Sequence, residues 1–158
     1  MEIRPVKEAD NTAIAAIIRS VLTEHNAAKP GTVYYDAATD DLVSLFSMPG
    51  SAYWVLTEDG AIAGGAGIYP TPGLPASCCE LVKLYLLPAA RGKGYGKLLI
   101  EKCFSMAREL GYKEVYLETM PELNRAVGLY ERCGFSYLPG PLGSSGHFGC
   151  DLWMLKQL

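Results

Sequence analysis

Apolar side chains along this chain of 158 residues recur at two different spacings, and each switch between them marks an element. Ile3 to Val6 fits a short strand. Ile14, Ile17, Ile18, Val21 and Leu22 then recur at helical intervals, with Asp10 or Asn11 near the helix start. Periodicity lapses from Ala27 to Asp41, where Pro30-Gly31, two tyrosines and several acidic residues form a long connection before a second short helix, Leu42 to Phe46. Ala52 to Thr57 and Ala61 to Tyr69 are β-prone runs around Glu58-Asp59-Gly60, where Asp-Gly supplies the positive φ of a tight hairpin. A proline-rich loop leads to a long strand, Cys78 to Leu87, ended by Pro88.

Leu99, Cys103, Met106 and Leu110 give the clearest helical face, and Gly111 terminates it. Val115 to Thr119 is a strand and Pro121 to Arg132 a helix stopped near Gly134. Two β segments, Phe135 to Leu138 and Cys150 to Leu155, close the chain. The order β-α-α-β-β-β-α-β-α-β-β predicts a mixed α/β fold of the α+β type, with residues 1–158 in one domain. The strand-helix-strand unit from Cys78 to Thr119 requires a parallel pair and the hairpin before it an antiparallel one, so the sheet is mixed with helices on both faces.

Composition narrows the function classes. Apolar residues make up 49% and charged residues 20%, with a formal net charge of −3. Lysines and arginines are scattered, so no basic stripe offers itself to nucleic acid or to an anionic membrane. Met1 leads straight into a charged segment and no run of about 20 apolar residues follows, which predicts a cytoplasmic protein. Cysteines 78, 79, 103, 133 and 150 form no C-x-x-C pair and are expected reduced, with Cys78 and Cys79 packing on opposite faces of their strand. His25 and His147 have no histidine or cysteine at metal-ligand spacing, so no metal is expected.

Between the long strand and the clearest helix lies Arg91-Gly92-Lys93-Gly94-Tyr95-Gly96, followed by Lys97. Three glycines at a helix start let backbone N–H groups approach an anion closely. The helix dipole and the cations Arg91, Lys93 and Lys97 add to the attraction, and a diphosphate fits such a cradle. A nucleotide P-loop is excluded because Leu98 stands where a hydroxyl residue must bind Mg²⁺. A Rossmann fingerprint lacks its third glycine at Lys97, although Glu118 lies at a plausible distance for a ribose, and its turn belongs after a first strand. A dinucleotide-dependent oxidoreductase is the weaker competitor.

The stretch Glu80-Leu-Val-Lys-Leu-Tyr-Leu-Leu-Pro-Ala-Ala-Arg-Gly-Lys-Gly-Tyr-Gly, then Asn124-Arg-Ala-Val-Gly-Leu-Tyr130 and Cys133-Gly-Phe135, resembles the GNAT N-acetyltransferases. The resemblance implies a mostly antiparallel twisted sheet with a splay between the fourth and fifth strands, and acetyl-CoA as donor lying along it. It places the pantetheine arm on backbone groups of Leu84, Tyr85 and Leu86, the pyrophosphate on residues 91–97, Asn124 beside the pantetheine and Tyr130 near the sulfur. A homodimer is plausible on the same ground. The N-terminal half carries no transferable motif, so the acceptor, a small amine, amino acid or peptide N-terminus, is left open.

Attack of an amine on a thioester needs the neutral amine, yet a primary alkylamine has a pKa near 10.4, as lysine does, so a base must take a proton. Glu80 precedes Arg91 by eleven residues, the interval at which family members with a catalytic glutamate carry it. Its action through water is expected, and a salt-bridged strand residue near Lys83 is the other reading. Tyr130 is the candidate acid for the departing thiolate, or else a core tyrosine. His147, in a glycine-rich loop, is a candidate to line the acceptor pocket or an ordinary loop residue, and Tyr34, Tyr35 and Asp36, whose aromatic and acidic groups suit a cationic amine, are candidates to bind it or simply to pack. A non-catalytic acyl-CoA sensor is the alternative that would tolerate loss of Glu80 and Tyr130.

Overall fold

A computed structural model describes residues 1–158. Seven strands form one sheet in the order β1-β2-β3-β4-β5-β7-β6. They are β1 (Glu2–Pro5), β2 (Ala52–Glu58), β3 (Ala61–Tyr69), β4 (Cys78–Leu86), β5 (Glu114–Thr119), β6 (Ser136–Leu138) and β7 (Leu152–Gln157). The helices are α1 (Asn11–Glu24), α2 (Leu42–Leu45), α3 (Tyr95–Glu109) and α4 (Asn124–Arg132). The element order matches the sequence expectation, with boundaries shifted by a few residues, the largest change being a single 3-10 turn, Pro121–Leu123, ahead of α4. No helix is long and apolar enough to cross a membrane.

The β2–β3 hairpin turns through Asp59 (φ 51°) and Gly60 (φ 81°), the paired positive φ that Asp-Gly suits. Alternation along β2 sends Tyr53 and Val55 into the core under α1 and α2, and Trp54 and Leu56 into the core under α3. Helices therefore cover both faces. Asn11 illustrates what periodicity cannot show: its side-chain oxygen accepts from the backbone N–H groups of Leu42 (3.0 Å) and Val43 (3.3 Å), so the first residue of α1 caps α2. Asp10 instead pairs with Arg4 at 2.7 Å and accepts from the Lys7 N–H.

Every strand pair is antiparallel except β4–β5, which pairs only from Cys78–Glu114 to Glu80–Tyr116. Beyond that point β4 runs on beside β3 as far as Leu86, and β5 beside β7 as far as Thr119. The facing edges of β4 and β5 thus separate, leaving backbone groups without ladder partners in mid-sheet. One residue too many in β4 adds to the divergence: between the pairs Gly65–Tyr85 and Gly67–Val82 the register slips, and Lys83 sits at φ 51°. The Tyr53 hydroxyl donates to the Lys83 carbonyl at 3.0 Å and secures this bulge.

Candidate active site

A cavity of about 560 Å³ occupies the opening between β4 and β5 and extends to the start of α3. Its walls include Leu84, Tyr85 and Leu86 of β4, Arg91, Gly92, Gly94, Tyr95, Gly96 and Lys97 of the glycine turn, and Asn124 and Tyr130 of α4. Two segments separated in sequence, from Glu80 to Lys97 and from Asn124 to Tyr130, thus line one space.

The turn has the expected conformation. Gly92 (φ 75°) and Gly94 (φ 81°) both occupy the left-handed region, and Gly94 caps α3, so the first N–H groups of the helix are free to meet an anion. At Gly96 an added Cβ would lie 2.8 Å from Leu129 Cδ2, so the Leu129 side chain on α4 would have to shift to admit one. Arg91 lies at the cavity, with its guanidinium forked onto Glu24 (2.7 Å to each oxygen) and bonded to the Leu86 carbonyl at 3.0 Å. Lys93 is directed elsewhere, onto Glu58 at 2.8 Å, and does not line the cavity.

A phosphopantetheine fits this surface on two independent observations. The unpaired edges of β4 and β5 offer ladder positions to an extended amide-bearing chain. Thr119, at the end of β5 and 3% exposed, holds a hydroxyl with no hydrogen-bond partner, an unmet capacity in the wall of the same cavity.

At the far end of the cavity, Glu80 is buried on the face of β4 opposite Cys79 and Leu81. Burial pushes its carboxyl up to about 7, Glu118 adds to the rise, and a hydrogen bond from Thr71 works against it. Lys83 is not its salt-bridge partner. The Lys83 ammonium lies 3.6 Å from Asp36 and 3.2 Å from the Thr39 hydroxyl, and burial lowers its pKa against the pull of Asp36.

A second cavity of about 210 Å³ adjoins Glu80 and is shared by Asp36, Tyr69, Thr71, Lys83 and His147. His147 borders both cavities, with its Nε2 2.7 Å from Asp36 Oδ2. Burial alone would lower the His147 pKa, but the hydrogen bond and charge of Asp36 leave it raised. Glu118 completes the cluster. It accepts from the Tyr116 hydroxyl at 3.0 Å and from Ser145, and a carboxylate oxygen of Glu80, one of Glu118 and a ring nitrogen of His147 lie within 4.8 Å of one another.

Of the residues singled out from sequence, Tyr34 and Tyr35 are not brought to either cavity. Tyr34 packs against the core under α1 and Tyr35 is 62% exposed, while their neighbour Asp36 turns inward. Sequence reasoning missed Thr71 and gave Lys83 and Glu118 other roles. A lysine within the apolar run of β4 was the one available signal; nothing local distinguishes Thr71.

Tyr130, 8% exposed, stacks edge-on to Phe135 with ring centroids 5.9 Å apart, and its hydroxyl makes no hydrogen bond within the protein. Burial raises its pKa, so the phenol stays protonated.

Residues 16–135 match the model of the Acetyltransferase (GNAT) family. The chain is 44% identical over 150 residues, covering 94% of itself and 90% of the relative, to the uncharacterized N-acetyltransferase YjgM of Escherichia coli (strain K12). It is 34% identical over 116 residues to human N-acetyltransferase 8B, matching 69% of this chain and 51% of that protein, so it spans about half of that relative's length. Among solved structures, a GNAT-family acetyltransferase from Staphylococcus aureus Mu50 superposes with a TM-score of 0.87 at 17% identity, covering 99% of this chain and 98% of that one. The PaiA N-acetyltransferase of Thermoplasma acidophilum, solved in complex with coenzyme A, gives 0.76 at 18% identity, covering 99% and 98%. With the splayed sheet, the glycine turn and the α4 signature all in place, the chain belongs to the acetyltransferase (GNAT) family.

Proposed function

We propose that this protein is an acetyl-CoA-dependent N-acetyltransferase that acetylates a primary amine, whether a small molecule, an amino acid or a peptide N-terminus, by direct attack in a ternary complex. The observation that carries the reading is the continuity of one cavity from the anion-binding turn to a buried carboxylate held near neutrality. Glu80 at about 7 is matched to general-base work at physiological pH, which an ordinary carboxylate near 4.3 is not.

In this reading, the turn from 91 to 97 holds the pyrophosphate through its backbone N–H groups with Arg91 and Lys97, the Lys93 side chain being turned onto Glu58, and the open edge of β4 holds the pantetheine amides, which brings the thioester near Glu80. A backbone N–H from residues 84–86 meets the oxyanion. Glu80 takes the amine's proton, directly or through water. Tyr130 donates to the departing sulfur; because burial makes its phenol a weaker acid, its first contribution is a hydrogen bond to the developing thiolate. The acceptor enters through the smaller cavity beside Asp36 and His147. A cytoplasmic setting and a homodimer belong to the same proposal.

The test is an amine-library assay that detects released CoA thiol, run on the wild type, Glu80→Gln and Tyr130→Phe. Loss of turnover in both variants with retained CoA binding supports the assignment. Full turnover in both on the best acceptor removes the acid and base, and CoA binding without turnover on any amine favours the non-catalytic sensor.

A further inference from the structure

Acetyl transfer to an amine releases one net proton. The alkylammonium brings three N–H protons and the amide keeps one; as the C–N bond forms and the C–S bond breaks, one of the other two ends on the CoA thiol and the last must reach solvent. In the proposed mechanism that last proton arrives on Glu80, which is 4% exposed and has one oxygen engaged by Thr71. A group so enclosed meets bulk water only along the cavities it borders, and the next turnover waits until it is deprotonated.

We propose that His147, held by Asp36, is the relay that takes this proton from Glu80 and passes it to solvent. The inference rests on the assignment of Glu80 as base. A ring nitrogen of His147 lies within 4.8 Å of a Glu80 oxygen, a span that one bridging water covers. Exposure rises outward along the path, from the Glu80 residue at 4% to the side chains of His147 at 17% and Asp36 at 34%. In the tautomer that donates Nε2–H to Asp36, Nδ1 of the neutral ring is left as an acceptor.

The charges facing His147 suit the task. Asp36, from the connection before α2, stabilises the imidazolium; Lys83 on β4 opposes it; Glu80 on β4 and Glu118 on β5 lie on its inner side. Asp36 raises the proton affinity of His147 against the burial that would lower it, which favours movement of the proton outward from Glu80. The relay acts through Glu80, whatever contact His147 makes with an acceptor passing beside it. That separates it from a pocket residue that merely fixes the acceptor.

The decisive variants are His147→Gln, which keeps a side chain able to bond Asp36 but cannot titrate, and His147→Ala. Acetylated product is followed at saturating acetyl-CoA and amine, with and without added imidazole. The expected result is a fall in kcat of at least about tenfold in both variants, less than the roughly 10²–10⁴-fold for a group that itself exchanges a proton with substrate. KM is expected to change little, and imidazole to restore kcat in His147→Ala. Full kcat in His147→Gln, or a kcat in folded His147→Ala that imidazole does not raise, overturns the relay; if His147→Ala does not fold, His147→Gln alone decides. Glu80→Gln is the control. If it retains full turnover the base assignment itself has failed, whereas an inactive Glu80→Gln beside a fully active His147→Gln removes only the relay.

Discussion

The Thr71 hydroxyl donates to Glu80 Oε2, and both side chains are buried in the wall of the smaller cavity. The bond favours the charged carboxylate and so opposes the burial that raises it. The base form of Glu80 is lost as pH falls below about 7, so kcat/KM is expected to decline tenfold per pH unit on that acid limb. Thr71→Val removes the donor and should move the limb to higher pH by about one pH unit. Initial rates between pH 5.5 and 9 check both; a limb unmoved in Thr71→Val would show that the bond does not act on the catalytic carboxylate.

Glu80 should also cost stability. Its folded pKa of about 7 lies above an unfolded value near 4.3, so between these two the folded state binds more protons than the unfolded one. Stability contributed by the neutral acid is present below about pH 4 and lost as pH rises through about 7. The full penalty, on the order of 4 kcal/mol at most, applies above pH 8. Glu80→Gln is therefore expected to be inactive yet more stable than the wild type at pH 8, with the gap closing at pH 4.5. Urea melts at the two pH values measure it.

Tyr130→Phe preserves the ring against Phe135 and removes only the hydroxyl. Its expected signature is a drop in kcat of about 10²-fold, the low end for acid–base groups, with little change in KM for acetyl-CoA. Steady-state kinetics with the donor varied separates this from a packing role, which would lower stability and leave kcat of the folded fraction intact.

Gly94→Ala tests the turn. No atom lies within 4 Å of the added Cβ, so the effect is confined to the left-handed backbone at φ 81°, which costs a non-glycine residue about 1–2 kcal/mol. Relief of that strain moves the N–H groups that face the phosphates. CoA affinity by calorimetry is expected to fall about tenfold, the equivalent of 1.4 kcal/mol, with a small loss in melting temperature.

The elements were legible in the chain because each announces itself locally. The β2–β3 hairpin follows from Asp59-Gly60, the α3 face from Leu99 and Cys103, and the cofactor turn from glycines that adopt positive φ before a helix. The bulge in β4 was not legible, because Lys83 holds its left-handed conformation only through buried tertiary contacts, with Tyr53 at its carbonyl and Asp36 and Thr39 at its ammonium. For the same reason Tyr34, Tyr35 and Asp36 were legible only as a group, of which Asp36 alone turns inward: aromatic and acidic composition identifies a segment, but which side chain faces the cavity depends on how that segment folds across β4.

Sequence alone determined the order of the elements, the anion-binding turn and the position of Glu80 on the strand leading to it, since these depend on backbone conformations and spacings written within a few residues of each other. Only the tertiary structure decided what surrounds Glu80. Asp36, Thr71, Glu118 and His147 come from four separate segments, and the pKa of a carboxylate is set by burial and by charges a few ångströms away, which distance along the chain does not encode.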